Sequence, residues 1–413
     1  MKFKKFSGVI TIESIFYIAF GLYIFSSVFQ LTAWAYSADD SMTMLLWILK
    51  AMRYFSYLLF LYKIILHSAH IKKGFLFIIC GILLIVLISM AKSSEKEVFL
   101  NLLVFWAAKD VSAKRLVRCI LKIQVFVLLF TVLCSQIGIV EDYIRIESFR
   151  TRHYLGFQWT SLAPVLFFFI LLEYMFLKDG RIPFYKYVLL MLVNLWIFKM
   201  TGARLMFVAP LTFMTFFQFV YGRVNIAHVE RAGGGKLFPF LPWVCAVFSI
   251  WCHMAYTPSN PIWEKVNTLL SGRLKLGNTA IKQYGFVLLG QRIEWIGHNI
   301  KSVFSKIEGY NYVDSSYLQI ALQYGMVFLC LSLLGFSFLM VRAFREKQYY
   351  LCWILAVILI DSISEPELIT LRYNPFILLC LSSISPKSED VSGRSLVNKI
   401  PANSFQWLEY GDG

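Results

Sequence analysis

The chain has 413 residues; 58% are hydrophobic and 17% aromatic, and only 15% carry charge, yet the formal net charge is +16. A mean hydropathy of +0.64 lies far from that of an ordinary soluble domain and argues against one. The basic balance does not describe a nucleic-acid surface either, because Lys and Arg are spread over many short loops instead of clustering on one face with aromatic neighbours.

Long apolar runs explain the composition. A helix needs about 20 mostly apolar residues to cross the hydrocarbon. In chain order, such runs lie near 8–29, 42–65, 75–91, 97–108, 117–140, 159–177, 184–200, 203–221, 237–256, 316–341, 350–361 and 371–385. The expected fold class is an all-α polytopic membrane protein with about 12 transmembrane helices, the fourth and eleventh being short. The first run follows a basic lead like that of a signal peptide. It is too long for one and has no small-x-small cleavage site, so it reads as a retained span.

The loops between these runs alternate in charge. Lys2, Lys4 and Lys5, then Lys72 and Lys73, then Lys109, Lys114, Arg115 and Arg118 fall on one side, and the same side later receives Lys178, Arg181, Arg223, Arg342 and Arg345. The other side is nearly neutral. By the positive-inside rule the basic side is cytoplasmic and both termini lie there. Residues 1–385 form a single transmembrane domain in this reading, and 386–413 a polar cytoplasmic tail.

The cysteines stand in or beside apolar runs without metal-ligand spacing and read as buried free thiols. No Walker loop, GxGxxG or GxSxG occurs, so nucleotide-driven transport and serine hydrolysis lack support, and no cofactor or metal is expected.

One connection differs from the rest. Residues 257–315 form a long outer loop between the ninth and tenth runs, with apolar and aromatic residues such as Trp263, Phe286, Trp295 and Phe304 that a disordered linker would not carry. Short helices capping a cavity are expected there. Polar residues recur where the runs meet this side: Arg145, Arg150, Arg152 and His153; then Arg204, squeezed between two runs with almost no loop; then Arg273, Arg292, His298, Asp314 and Tyr317; and finally Asp361, Glu365 and Glu367 beside Arg372. Arginine at membrane depth is costly unless paired or hydrated, which makes it a functional candidate. Its planar fork suits phosphate oxygens. Snorkelling to lipid phosphates or pairing with Glu147, Asp361 or Glu365 is the structural alternative for Arg152 and Arg204.

The run Asp314-Ser-Ser-Tyr-Leu-Gln-Ile-Ala-Leu-Gln-Tyr-Gly325 resembles the signature that ends the large outer loop in bacterial O-antigen and capsular polysaccharide polymerases (Wzy type) and the related O-antigen ligases. Arg152-His-Tyr-Leu-Gly-Phe157, Thr201-Gly-Ala-Arg204, Ser271-Gly-Arg273, and Ser364-Glu-Pro366 with Asn374-Pro-Phe376 resemble further polymerase segments in the same order.

The resemblance implies a metal-independent glycosyltransferase of the GT-C type in the bacterial plasma membrane, its active site facing outward. The substrates it implies are undecaprenyl-diphosphate-linked oligosaccharides, as donor and acceptor, with a chain-length regulator protein as a further partner. Arg204 and Arg273 would stabilise the departing diphosphate, with Arg150, Arg152, Arg292 and Arg372 as further binding residues. Asp314 is the first candidate for the base, His298 the second and Glu365 the third. The ligases usually carry His where Asp314 stands, and an N-cap role for Asp314 stays open. Tyr317 and Trp295 are candidates for stacking on sugar or for an interfacial aromatic belt. An O-antigen ligase and a lipid-linked saccharide flippase or transporter are the alternative readings. The absence of two similar halves counts against the transporter.

Overall fold

Apolar helices dominate because the backbone cannot leave its polar groups unpaired in hydrocarbon, and a helix pairs them within one segment. The computed structural model describes residues 12–36, 40–67, 73–147, 150–221, 237–297, 299–300 and 309–384. His298 and the tail from Lys387 lie outside the described residues.

The helices are α1 (Ile12–Phe29), α2 (Asp40–His67), α3 (Lys73–Ser93), α4 (Lys96–Ala107) and α5 (Ala113–Gln136), followed by a hairpin of β1 (Ile144–Glu147) and β2 (Arg150–His153). Then come α6 (Leu162–Leu177), α7 (Phe184–Thr201), α8 (Arg204–Thr215, prolonged by a π turn to Val220) and α9 (Leu241–Ala255). The long outer segment contributes α10 (Pro261–Leu269) and α11 (Arg273–Tyr284), and the chain ends in α12 (Ser316–Gln319), α13 (Met326–Arg345) and α14 (Tyr349–Asp361).

Among the described residues, six helices are long and apolar enough to cross a membrane: α1, most of α2, α5, α7, the helical stretch Phe238–Ala255 and α13. The 12 residues of α4 and 13 of α14 are each about 20 Å long, short of the roughly 30 Å hydrocarbon.

Two expected spans differ from the structure. The run 316–341 is broken: α12 passes into a π turn, Ile320–Tyr324, and stops at Gly325, whose φ is +95°. A Cβ at Gly325 would lie 2.5 Å from the Gly290 nitrogen and the Leu288 oxygen. The break lets an extended stretch of the outer loop dock on the backbone. Met326 N–H donates to Val287 at 2.9 Å, Val327 N–H to Leu288 at 3.1 Å and Gln291 N–H to Gln323 at 3.0 Å. The run 371–385 forms no α-helix; its regular part is a 3-10 turn, Phe376–Cys380. Asn374 fixes its start, donating to Leu368 at 2.7 Å and accepting from Phe376 N–H at 3.1 Å.

The core is aromatic. Phe16 and Tyr23 of α1 pack on Phe60 of α2, with Phe20 stacked on Phe16, and Phe168, Phe169 and Phe176 of α6 meet Phe213, Tyr373 and Phe376. The outer faces of α2, α7 and α9 leave Trp47, Tyr54, Leu58, Leu189, Leu192, Val244 and Val247 exposed, as a lipid-facing surface would. The end of α1, the α3–α4 turn, the start of α6, the α7–α8 turn and the segment 362–373 meet around two neighbouring cavities at one end.

Candidate functional site

At that end the outer loop is fastened by specific contacts. α11 lies against α9 so closely that a Cβ on Gly277 would fall 2.0 Å from the His253 ring, and Asn278 donates to the His253 carbonyl at 2.8 Å. α10 begins with an Asn260 cap that accepts from Ile262 N–H at 2.9 Å. These contacts hold Arg273, the first residue of α11, over the bundle.

Arg273 joins two carboxylates that are remote in sequence. Its Nε lies 3.1 Å from Asp314 Oδ2 and its Nη2 2.8 Å from Glu365 Oε1, while Nη1 donates to the Ser364 carbonyl. Glu365 is held in turn by Ser316, whose hydroxyl donates to the Glu365 carbonyl at 2.6 Å and accepts from Leu368 N–H at 3.1 Å. Burial pushes the carboxyls of Asp314 and Glu365 upward in pKa, and the opposing pull of the Arg273 guanidinium does not cancel it.

The N-cap role open for Asp314 belongs to its neighbour. Ser315 caps α12, its hydroxyl accepting from Leu318 N–H at 3.4 Å and meeting Ser249 Oγ at 2.8 Å. Asp314 is thereby left to the ion pair.

A cavity of about 430 Å³ opens beside this cluster, lined by Arg145, Arg150, Arg152, Arg204 and Arg273 and by Asp314 and Glu365. The hairpin register sets Arg145 directly opposite Arg152, a like-charge pairing that costs stability in a two-stranded sheet. What holds the hairpin is the C-terminal end of α7. Arg150 Nη1 donates to the Gly202 carbonyl at 2.8 Å and Arg152 Nε to the Thr201 carbonyl at 2.7 Å, where the helix dipole is negative. Asp142 secures the other end, 2.6 Å from His153 Nδ1 and accepting from Leu155 N–H at 2.7 Å.

Gly202 ends α7 with φ +62°, and α8 starts two residues later, so its first turn also faces the cavity. Neither α8 nor α11 is capped by its own N-cap side chain, although Asn267 takes the Lys275 N–H of α11 at 3.0 Å. Uncapped helix starts attract anions. Arg204 is exposed and forms no hydrogen bond or ion pair among the described residues. Such an arrangement can receive an anion, and Arg204 is its exposed cation.

A second cavity, of about 810 Å³, lies on the other side of the same carboxylates. Trp159, Ser161, Asp314 and Glu365 border both cavities. This larger chamber is acidic and aromatic, with Glu95, Glu97 and Glu367 facing Arg372, and with Trp295 and Tyr312 among its walls. Burial pushes the Glu367 carboxyl up to about 8 despite Arg372.

The expected site residues therefore divide. Arg150, Arg152, Arg204, Arg273, Asp314 and Glu365 come together around the cationic cavity. Arg372 lines only the larger chamber. Arg292 joins neither: it is exposed and pairs with Glu294 at 2.6 Å. Tyr317 is fully buried in the core and its hydroxyl donates to the Leu359 carbonyl at 2.7 Å, so its ring faces no sugar. Trp295 does face the chamber, held by an Nε1–H bond to Gln323 at 2.8 Å. Glu95, Glu97, Trp159 and Tyr312 were not legible as site residues. The available signal was the acidic Ser93-Ser94-Glu95-Lys96-Glu97 turn between two apolar runs.

Comparison with protein-family models, with curated proteins and with solved structures finds no match to the chain.

Proposed function

We propose that this chain is a polysaccharide polymerase that joins undecaprenyl-diphosphate-linked oligosaccharide repeat units at the outer face of a bacterial plasma membrane. In this reading the up-and-down passes make about twelve membrane crossings in a GT-C-like arrangement, with both termini cytoplasmic. The observation that carries it is the wall of Asp314 and Glu365 between an arginine-lined cavity and a carboxylate-and-aromatic chamber.

The chemistry follows from that division. The donor's diphosphate sits among Arg145, Arg150, Arg152 and Arg204 at the start of α8, and its anomeric carbon lies at the wall. The acceptor hydroxyl oxygen attacks that carbon, and the carbon–oxygen bond to phosphate breaks with its electron pair on the leaving diphosphate. Fixed cations stabilise the charge that builds there. The hydroxyl proton passes to Asp314 or Glu365, both of which border the acceptor side. Arg273 holds the two carboxylates in place and is a positioning residue in this scheme, since its fork is already committed to them.

The test uses purified protein in lipid nanodiscs with undecaprenyl-diphosphate repeat units as sole substrate and a chelator present. The expected result is release of free lipid diphosphate together with a ladder of longer glycans. Transbilayer movement of labelled lipid with neither product would replace this reading with that of a transporter.

A further inference from the structure

The walls of the larger chamber have a definite chemical character. Three carboxylates, Glu95, Glu97 and Glu367, line it in addition to Asp314 and Glu365. Two cations oppose them, and one is turned aside: the Lys50 ammonium lies 5.2 Å from the Trp47 ring. The other, Arg372, has a buried Nε without a hydrogen-bond partner and forms no ion pair among the described residues. Glu97 and Glu367 line the same chamber as that guanidinium, so an incoming anion would meet carboxyl groups beside the cation.

The rings are held rigidly. Tyr312 meets Trp159 edge-on at 5.1 Å and Trp295 at 6.3 Å. Trp159 is packed against Gly297 so tightly that a Cβ there would come within 2.4 Å. Trp295 is tied through Gln323, which also reaches Glu95 at 3.4 Å. Fixed aromatic faces among carboxylates and amides match the apolar faces and hydroxyl rims of a saccharide.

We infer that this chamber is the acceptor's saccharide site and that it takes neutral or amine-bearing sugars while rejecting uronates and other anionic ones. The assignment to an acceptor rests on the glycosyl-transfer reading above. The selectivity follows from the walls: an anionic sugar would bring an unpaired negative charge beside Glu95 and Glu97, whereas an ammonium would be paired by them.

The probes are three free trisaccharides offered to the full-length protein in nanodiscs: chitotriose, its fully deacetylated form and trigalacturonate. Saturation-transfer NMR reads binding, and tryptophan quenching gives affinity. The first two are expected to bind at least about tenfold more tightly than trigalacturonate. Glu95→Gln and Glu97→Gln should narrow that gap, and Trp295→Leu should weaken all three probes. Equal or tighter binding of trigalacturonate, no binding of any probe at millimolar concentration, or a gap indifferent to both glutamine variants would each overturn the inference.

Farnesyl diphosphate, titrated into the same preparation, separates the two claims. Saccharide binding without diphosphate binding would sink the transferase reading and leave a saccharide site. Diphosphate binding that is lost in Arg204→Ala, with no saccharide selectivity, would do the reverse.

Discussion

Arg273 reaches Glu365 at 2.8 Å across the gap between the long outer loop and the turn after α14, and the same guanidinium holds Asp314 at 3.1 Å. One cation thus ties the loop to the helical bundle. Removing it would leave two desolvated carboxylates facing each other. Arg273→Ala is therefore expected to lose both activity and stability, by about 3 kcal/mol, because breaking a buried pair exposes the full cost of the orphaned charges. Arg273→Lys keeps the charge and loses the fork, so it should recover most of the stability and little of the turnover. Thermal unfolding in detergent alongside ladder formation checks both, and an Arg273→Ala protein as stable as the parent would refute the tether.

Asp314 and Ser315 divide two tasks that the sequence left on one residue. Ser315→Ala should destabilise by about 1 kcal/mol through loss of the α12 cap while turnover at permissive temperature is retained. Asp314→Asn keeps a polar side chain near Arg273 but cannot take a proton, so it should fold and fail in transfer by at least about a hundredfold. Turnover near the parent's in Asp314→Asn would move the proton to Glu365, and the paired Glu365→Gln variant identifies that case.

How far the sequence could be read depends on which signals are local. Long apolar runs located most helices because each run is a property of its own residues, and Arg204, Arg273, Asp314 and Glu365 were visible because charge beside an apolar run is conspicuous. The break at Gly325 was hidden, since it arises from the approach of Gly290 and Leu288 far away in the chain. The non-helical course of the last segment was hidden because apolar composition does not reveal that residues 362–375 fold as turns held by Ser316 and Asn374. The capping of α12 by Ser315 in place of Asp314 is a matter of one residue of register, beyond what Asp-Ser-Ser can specify. The acidic chamber was missed because Glu95 and Glu97 meet Glu367 only through tertiary packing.

Glu367 should leave a signature in the pH dependence of stability. Burial raises its carboxyl from 4.5 to about 8, so the native state binds the proton more tightly than the unfolded chain does. Its contribution is then fully present below the unfolded value near 4.5 and is lost as pH climbs through about 8. Glu367→Gln remains neutral throughout and should flatten the decline in unfolding temperature between pH 5 and 9. An unchanged slope in that variant would show that other groups set the alkaline limit.

Arg204 separates binding chemistry from folding more cleanly than any other arginine of the site. It is exposed at the start of α8 and forms no bond among the described residues, whereas Arg150 and Arg152 are tied to the carbonyl end of α7. Arg204→Ala should therefore leave the unfolding temperature unchanged and reduce turnover by about a hundredfold, the usual effect of deleting one fixed donor to a developing charge. Arg152→Ala should lose both, because the hairpin is released from the Thr201 carbonyl. The salt dependence of diphosphate binding supplies an independent reading: a cation acting on an exposed anion is screened, so the parent's affinity should fall with ionic strength more steeply than that of Arg204→Ala. Parallel salt slopes in the two proteins would remove Arg204 from the anion site.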